Sequence, residues 1–133
     1  MTLNLLLIDD NEIDAEFTRR TIAKHATDIR LDHVHDGVDG LRYLRAEKEF
    51  GDRPPVDLVL LDLHMPRMDG QTFLSELRSD RSLSQTVVVV LLASEDMRDA
   101  TKRFGVKIDA YLVKPIESQN LKAVLHSLGM SQD

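Results

Sequence analysis

At 133 residues, 42% of them hydrophobic and 30% charged, the chain has the size and apolar content for a single globular core, and too much Leu, Ile and Val for a disordered segment. Its 23 Asp plus Glu against 17 Lys plus Arg give a net charge of -6, which argues against sequence-independent nucleic-acid binding, because that rests on basic residues neutralising phosphates. The absence of cysteine excludes disulfides, thiolate metal sites and cysteine nucleophiles, and with no oxidising compartment suggested the expected location is cytoplasmic.

The first element is an apolar run over residues 3–8, too short for a membrane span and without the basic leader of a signal peptide, hence a strand. It ends in Asp9 and Asp10. Ile13 with Phe17 gives a faint helical stripe after it. Residues 29–35 alternate imperfectly, Ile29, Leu31, His33 and His35 against Arg30, Asp32 and Val34, which suits a partly exposed edge strand. His33 and His35 share one face of it; paired histidines on an edge strand are ordinarily solvated, and no role is assigned to them. Val38, Leu41 and Leu44 mark a second helix, and residues 47–57, with Gly51, Pro54 and Pro55, form an exposed loop rather than a domain linker.

A second continuous apolar run, 58–61, ends in Asp62, and Phe73 with Leu77 marks the helix that follows. A third run, 87–93, ends in Ser94; the helical pattern over 97–104 is weak, and its charges Arg98, Asp99, Lys102 and Arg103 read as a solvated face. The last run, 110–113, ends in Lys114, and Leu121, Val124, Leu125 and Leu128 repeat at helical spacing behind Ser118 as N-cap. Continuous rather than alternating strands are covered on both faces, so the expected fold class is α/β: five parallel strands in a doubly wound sheet with helices on both sides.

In such sheets ligands bind beyond the carboxyl ends of the strands. Asp9, Asp10, Asp62 and Lys114 stand at those ends. Clustered carboxylates resist joint ionisation, so they either raise a pKa or hold a hard divalent cation, and Mg2+ with oxygen ligands is the better match. Lys114 offers a point charge for a phosphate, and Asp62 a carboxylate able to form an acyl phosphate.

Leu6-Leu7-Ile8-Asp9-Asp10-Asn11, then Leu60-Leu61-Asp62-Leu63-His64-Met65-Pro66-Arg67-Met68-Asp69-Gly70, then Tyr111-Leu112-Val113-Lys114-Pro115 together resemble the CheY-like response-regulator receiver family over about residues 3–128. The resemblance implies strand order 2-1-3-4-5 and a two-component function, in which Asp62 takes a phosphoryl group from a sensor histidine kinase. It implies Asp10, Asp62 and the His64 backbone carbonyl as Mg2+ ligands, Asp9 acting largely through water, and a cis bond at Lys114-Pro115. It also implies one receiver over 1–133 without an output domain, signalling through protein contacts without nucleic acid or membrane, and homodimerisation through the fourth helix, fifth strand and fifth helix. The Asp10-Asn11-Glu12 opening and the Pro-containing loop before the third strand further resemble the small regulators that partner bacteriophytochromes.

One position departs from the pattern. Receivers usually carry Thr or Ser at the end of the fourth strand, coupled to an aromatic residue on the fifth; counting from Asp62 and Lys114 places Leu92 there, while the aromatic partner Tyr111 is present. The lost hydrogen bond to a charged group is worth about 1.5 to 3 kcal/mol, enough to weaken the phosphorylated state without abolishing acceptance. Ser94 stands in if the strand ends in a bulge. Two other functions compete: a phosphorylation-independent binding module, and an aspartyl phosphatase, which requires a second acid where this chain has His64.

Overall fold

The computed structural model describes residues 2–25, 28–63 and 68–130. The strands are β1 (Leu3–Ile8), β2 (Ile29–Val34), β3 (Leu58–Asp62), β4 (Val88–Leu92) and β5 (Ala110–Val113). All pair in parallel, in the order β2-β1-β3-β4-β5. Between and after them run the helices α1 (Glu12–His25), α2 (Gly37–Leu44), α3 (Gly70–Ser79), α4 (Arg98–Thr101) and α5 (Ser118–Ser127).

Why the strands read as unbroken apolar runs follows from the alternation of side chains across the sheet. Leu6, Ile8, Val59, Leu61, Val88, Val90 and Leu92 pack on one side with Leu41 and Leu44 of α2 and Phe73, Leu74 and Leu77 of α3. Leu3, Leu5, Leu7, Leu58, Leu60, Val89, Leu91 and Leu112 pack on the other with Ala15 and Ile22 of α1 and Leu121 and Leu125 of α5. At the edge, β2 is buried only at Val34 and half-buried or exposed elsewhere, as its mixed composition predicts.

Several expectations need adjusting. Ile13 and Phe17 do lie on α1, but they are 82% and 49% exposed; the face that α1 buries carries Ala15, Thr18 and Ile22. Ser118 is the first residue of α5, and the cap position is Glu117, which makes no side-chain cap bond. The weak pattern at 97–104 corresponds to the single turn of α4 between 3-10 turns Glu95–Met97 and Lys102–Phe104. The loop before β3 holds a further 3-10 turn, Lys48–Phe50. Among the described residues, no helix is long and apolar enough to cross a membrane.

Candidate functional site

The strand ends deliver the expected carboxylates to one pocket. Asp9 and Asp62 continue the side-chain alternation of Leu7 and Leu60, and Lys114 that of Leu112, so all three aim toward the α1/α5 side of the sheet rim. Asp9 is fully buried, Asp62 nearly so, and Asp10 is exposed. One carboxylate oxygen of each lies within 4.8 Å of the others. Lys114 Nζ stands 3.2 Å from Asp9 Oδ2 and 3.5 Å from Asp62 Oδ2. The Lys114–Pro115 bond is cis.

Sequence reasoning missed Asp14, whose Oδ2 lies 3.0 Å from Lys114 Nζ. A local signal for it existed. Asn11 Oδ1 accepts from the backbone N–H groups of Ile13 and Asp14, so Asn11 caps α1 and fixes Asp14 in the first turn, directly over the strand ends. Asn11 N–H in turn donates to Asp9 Oδ1, holding that buried carboxylate in orientation. On the far side of the pocket, Asp69 caps α3 by accepting from Thr72 N–H. Gly70 follows because a Cβ there would come within 2.5 Å of Leu63 Cδ2 and 2.9 Å of Leu63 Cα, too close for any side chain where α3 departs.

Burial pushes the Lys114 ammonium down, but its hydrogen bond to Asp14 and the charges of Asp62 and Asp9 outweigh that and hold it above the ordinary lysine value. Lys114 is therefore a permanent cation at neutral pH. Among the described residues the pocket sets four carboxylates, Asp9, Asp10, Asp14 and Asp62, around this one ammonium. That surplus of hard oxygen donors fits a small divalent ion: two opposed ligands of Mg2+ stand about 4.2 Å apart at its usual bond length of ~2.1 Å, and the oxygens of Asp9, Asp10 and Asp62 lie within 4.8 Å of one another. Asp9, Asp10 and Asp62 would hold it. The His64 carbonyl, expected as a further ligand, lies outside the described residues.

The expected switch positions occupy the opposite side of the sheet. Leu92 is fully buried in the α2/α3 core, with Tyr111 and Val113 packed against that cluster. β4 and β5 stay in regular register through Leu92↔Val113, and Lys114 N–H donates to Leu92 O at 2.8 Å, so the paired strand carries no bulge. Ser94 lies beyond it, exposed, ahead of a 3-10 turn and without a side-chain cap bond. Thr101, buried on α4, was not anticipated. Its Oγ1 lies 2.6 Å from Arg98 O and 2.8 Å from the Tyr111 hydroxyl. A carbonyl only accepts, so the Thr101 hydrogen goes to Arg98 O and Tyr111 donates to Thr101. Arg98, expected as part of a solvated face, instead lays its guanidinium 5.1 Å from the Tyr111 ring centroid.

Comparison with known proteins agrees with this geometry. Residues 5–126 match the model of the response regulator receiver domain. The chain is 30% identical over 118 residues to response regulator Rcp1 of Synechocystis, covering 89% of this chain and 78% of Rcp1. It is 32% identical over 124 residues to the probable methanogenesis regulatory protein FilR2 of Methanothrix harundinacea, covering 93% and 79%. Among solved structures, the bacteriophytochrome response regulator RtBRR superposes with TM-score 0.89 at 30% identity over 100% of this chain and 81% of that one. The phosphorylated cyanobacterial phytochrome response regulator RcpA gives 0.78 at 28% over 96% and 91%, and the Mn2+-bound form of Rcp1 gives 0.77 at 26% over 98% and 96%.

Proposed function

The chain belongs to the response regulator receiver family of two-component signalling, and from that premise we propose that Asp62 accepts a phosphoryl group from the phosphohistidine of a sensor histidine kinase in the presence of Mg2+. The observation that carries this reading is the Lys114 ammonium shared between Asp9 and Asp62 at the strand ends. In the transfer an Asp62 carboxylate oxygen attacks phosphorus while the P–N bond breaks. The electron pair of that bond stays on the imidazole nitrogen, and a ring that enters protonated leaves as neutral histidine. Lys114 holds a phosphoryl oxygen as a fixed charge, and buried Asp9, oriented by Asn11, keeps the pocket anionic enough to need a cation. When bound, Mg2+ supplies the neutralisation of carboxylate and phosphoryl charge that lets two anions meet. Metal-bound Rcp1 and phosphorylated RcpA, both with this fold, support the same chemistry.

The kinase has a surface to meet. Exposed Ile13 and Phe17 flank a cleft with Thr18, Pro115 and Ile116 that reaches Lys114, so apolar contact borders the acceptor. The relatives named as phytochrome response regulators make a phytochrome-type sensor the proposed partner. The reading carries with it a cytoplasmic location, signalling through protein contacts and pairing of two copies through α4, β5 and α5. Incubation with a small phosphodonor tests the core of it: Mg2+-dependent labelling of the wild type is expected, with none in Asp62→Asn, and full labelling of that variant overturns the assignment.

A second reading is favoured by Leu92 alone. With an apolar side chain filling the switch position, the chain would bind its partner equally in both states. Equal partner affinity with and without beryllium fluoride would establish it, and a shift would dismiss it.

A further inference from the structure

Outside the acidic pocket a second set of metal-ligating side chains converges, from the end of β2 and the start of α1. The ligand atoms of Glu12, His33 and His35 lie within 4.8 Å of one another. The two imidazole rings stand 4.6 Å apart by their centroids, tilted by 44°, and His35 Nε2 meets Glu12 Oε1 directly. His33 is anchored from behind: its Nε2 lies 2.7 Å from the backbone carbonyl oxygen of Asp9. A carbonyl only accepts, so Nε2 carries the hydrogen and the free lone pair is on Nδ1. A histidine held through one ring nitrogen by a backbone carbonyl, with the other nitrogen left as a donor, is the outer-sphere arrangement that orients metal-bound imidazoles.

We propose that Glu12, His33 and His35 form a binding site for a divalent transition-metal ion, zinc-like in preference, separate from the carboxylate pocket of Asp9, Asp10 and Asp62. The chemistry of the two donor sets assigns different ions to them. Imidazole nitrogens suit Zn2+, Cu2+ and Ni2+, whereas Mg2+ requires oxygen ligands in an octahedron and is disfavoured here. Two histidines and one glutamate fill three positions of a tetrahedron and leave one for water, as in open zinc sites. That position faces solvent, because Glu12 and His35 are both exposed while His33 is half-buried and supplies the fixed corner. Because His33 holds the Asp9 carbonyl, the two sites share a segment of backbone without sharing a ligand.

Titration of Zn2+ into the full chain with Mg2+ in large excess, followed by calorimetry, tests this. One zinc per chain is expected, with affinity at least ~10-fold weaker in His35→Ala and in Glu12→Gln, since loss even of an outer-sphere partner costs about that much. Both substituted residues are exposed, and Mg2+ binding by each variant verifies its fold. Asp62→Asn should keep the zinc affinity of the wild type. No binding under Mg2+, unchanged affinity in both exposed variants, or loss of binding in Asp62→Asn each overturns the proposal. Imidazole 15N resonances give an independent readout: zinc should move those of His33 and His35, and movement confined to His25, His64 or His126 refutes the site.

Discussion

The two sides of the sheet rim differ in chemistry although the same strands build both. On the α1/α5 side, Asp9, Asp62 and Lys114 put charge at the strand ends, backed by Asp14 and oriented by the Asn11 cap. On the α2/α3 side, Leu92 and Val113 continue the apolar core to the last paired residue, and Tyr111 is tied to α4 through Thr101. One side gathers charge at the strand ends; the other continues apolar packing to the rim. On the proposed function, acceptance and its readout would be separable in this chain, because alternate residues of the strands serve different sides.

The largest effect should come from the charged side. Lys114→Met removes a preorganised cation aimed at developing phosphoryl charge, and transfer from a small phosphodonor should slow by about 10²–10³-fold, measured as the rate of Asp62 labelling. Because neighbouring carboxylates raise the Lys114 pKa, its charge, and the stability it contributes, is present below the ordinary lysine value of 10.5 and is lost only as pH rises beyond it. The defect should therefore be constant from neutral pH to about pH 9, and a defect that vanishes within that window would break the assignment. Next in size, Leu92→Ala opens a cavity on the other side and should destabilise the fold by about 2–5 kcal/mol in urea unfolding. Its labelling stoichiometry should stay at the wild-type level, and if labelling falls in proportion to stability, the two sides are not independent.

How much of this was legible beforehand divides along the same line. Strands buried on both faces announce themselves as continuous apolar runs, so β1, β3, β4 and β5 and their terminal charges were readable. What escaped depends on which way a helix faces. Ile13 and Phe17 have helical spacing, yet spacing alone cannot tell a core stripe from a solvent-facing one, and small Ala15 with Thr18 turned out to be the buried side. Asp14 required the phase of α1, which the Asn11 cap sets. The approach of Glu12 to His33 and His35 was not legible, because it is brought about only by the pairing of β2 with β1. Arg98 and Thr101 were hidden for a similar reason: their partner, Tyr111, is on another element.

Leu92→Thr sharpens the comparison from the apolar side. A hydroxyl placed where Leu92 is fully buried should cost about 1–3 kcal/mol in the unmodified protein, being without a partner in that cluster. If position 92 meets the phosphoryl group as the family pattern implies, beryllium fluoride with Mg2+ gives the same hydroxyl a charged acceptor worth about 1.5–3 kcal/mol, and the fluoride-induced rise in stability should exceed that of the wild type by this amount. An equal rise in both proteins would mean that position 92 does not face the phosphoryl group.

The smallest expected effect isolates the tether. Thr101→Val is nearly isosteric and removes the acceptor of the Tyr111 hydroxyl, which is only half-buried and can find water instead. The cost should be about 1–2 kcal/mol, the net worth of the two neutral hydrogen bonds lost, to Arg98 O and from Tyr111, and the double variant with Tyr111→Phe should lose no more than Thr101→Val alone. If Tyr111 has been given over to α4 in place of the missing rim hydroxyl, the single variant should free its ring without changing Asp62 labelling, seen as narrowed or shifted aromatic resonances. Additive losses in the double variant would show that the two hydroxyls act separately, and the apolar side would then be packing alone, with no residue held in reserve for a switch.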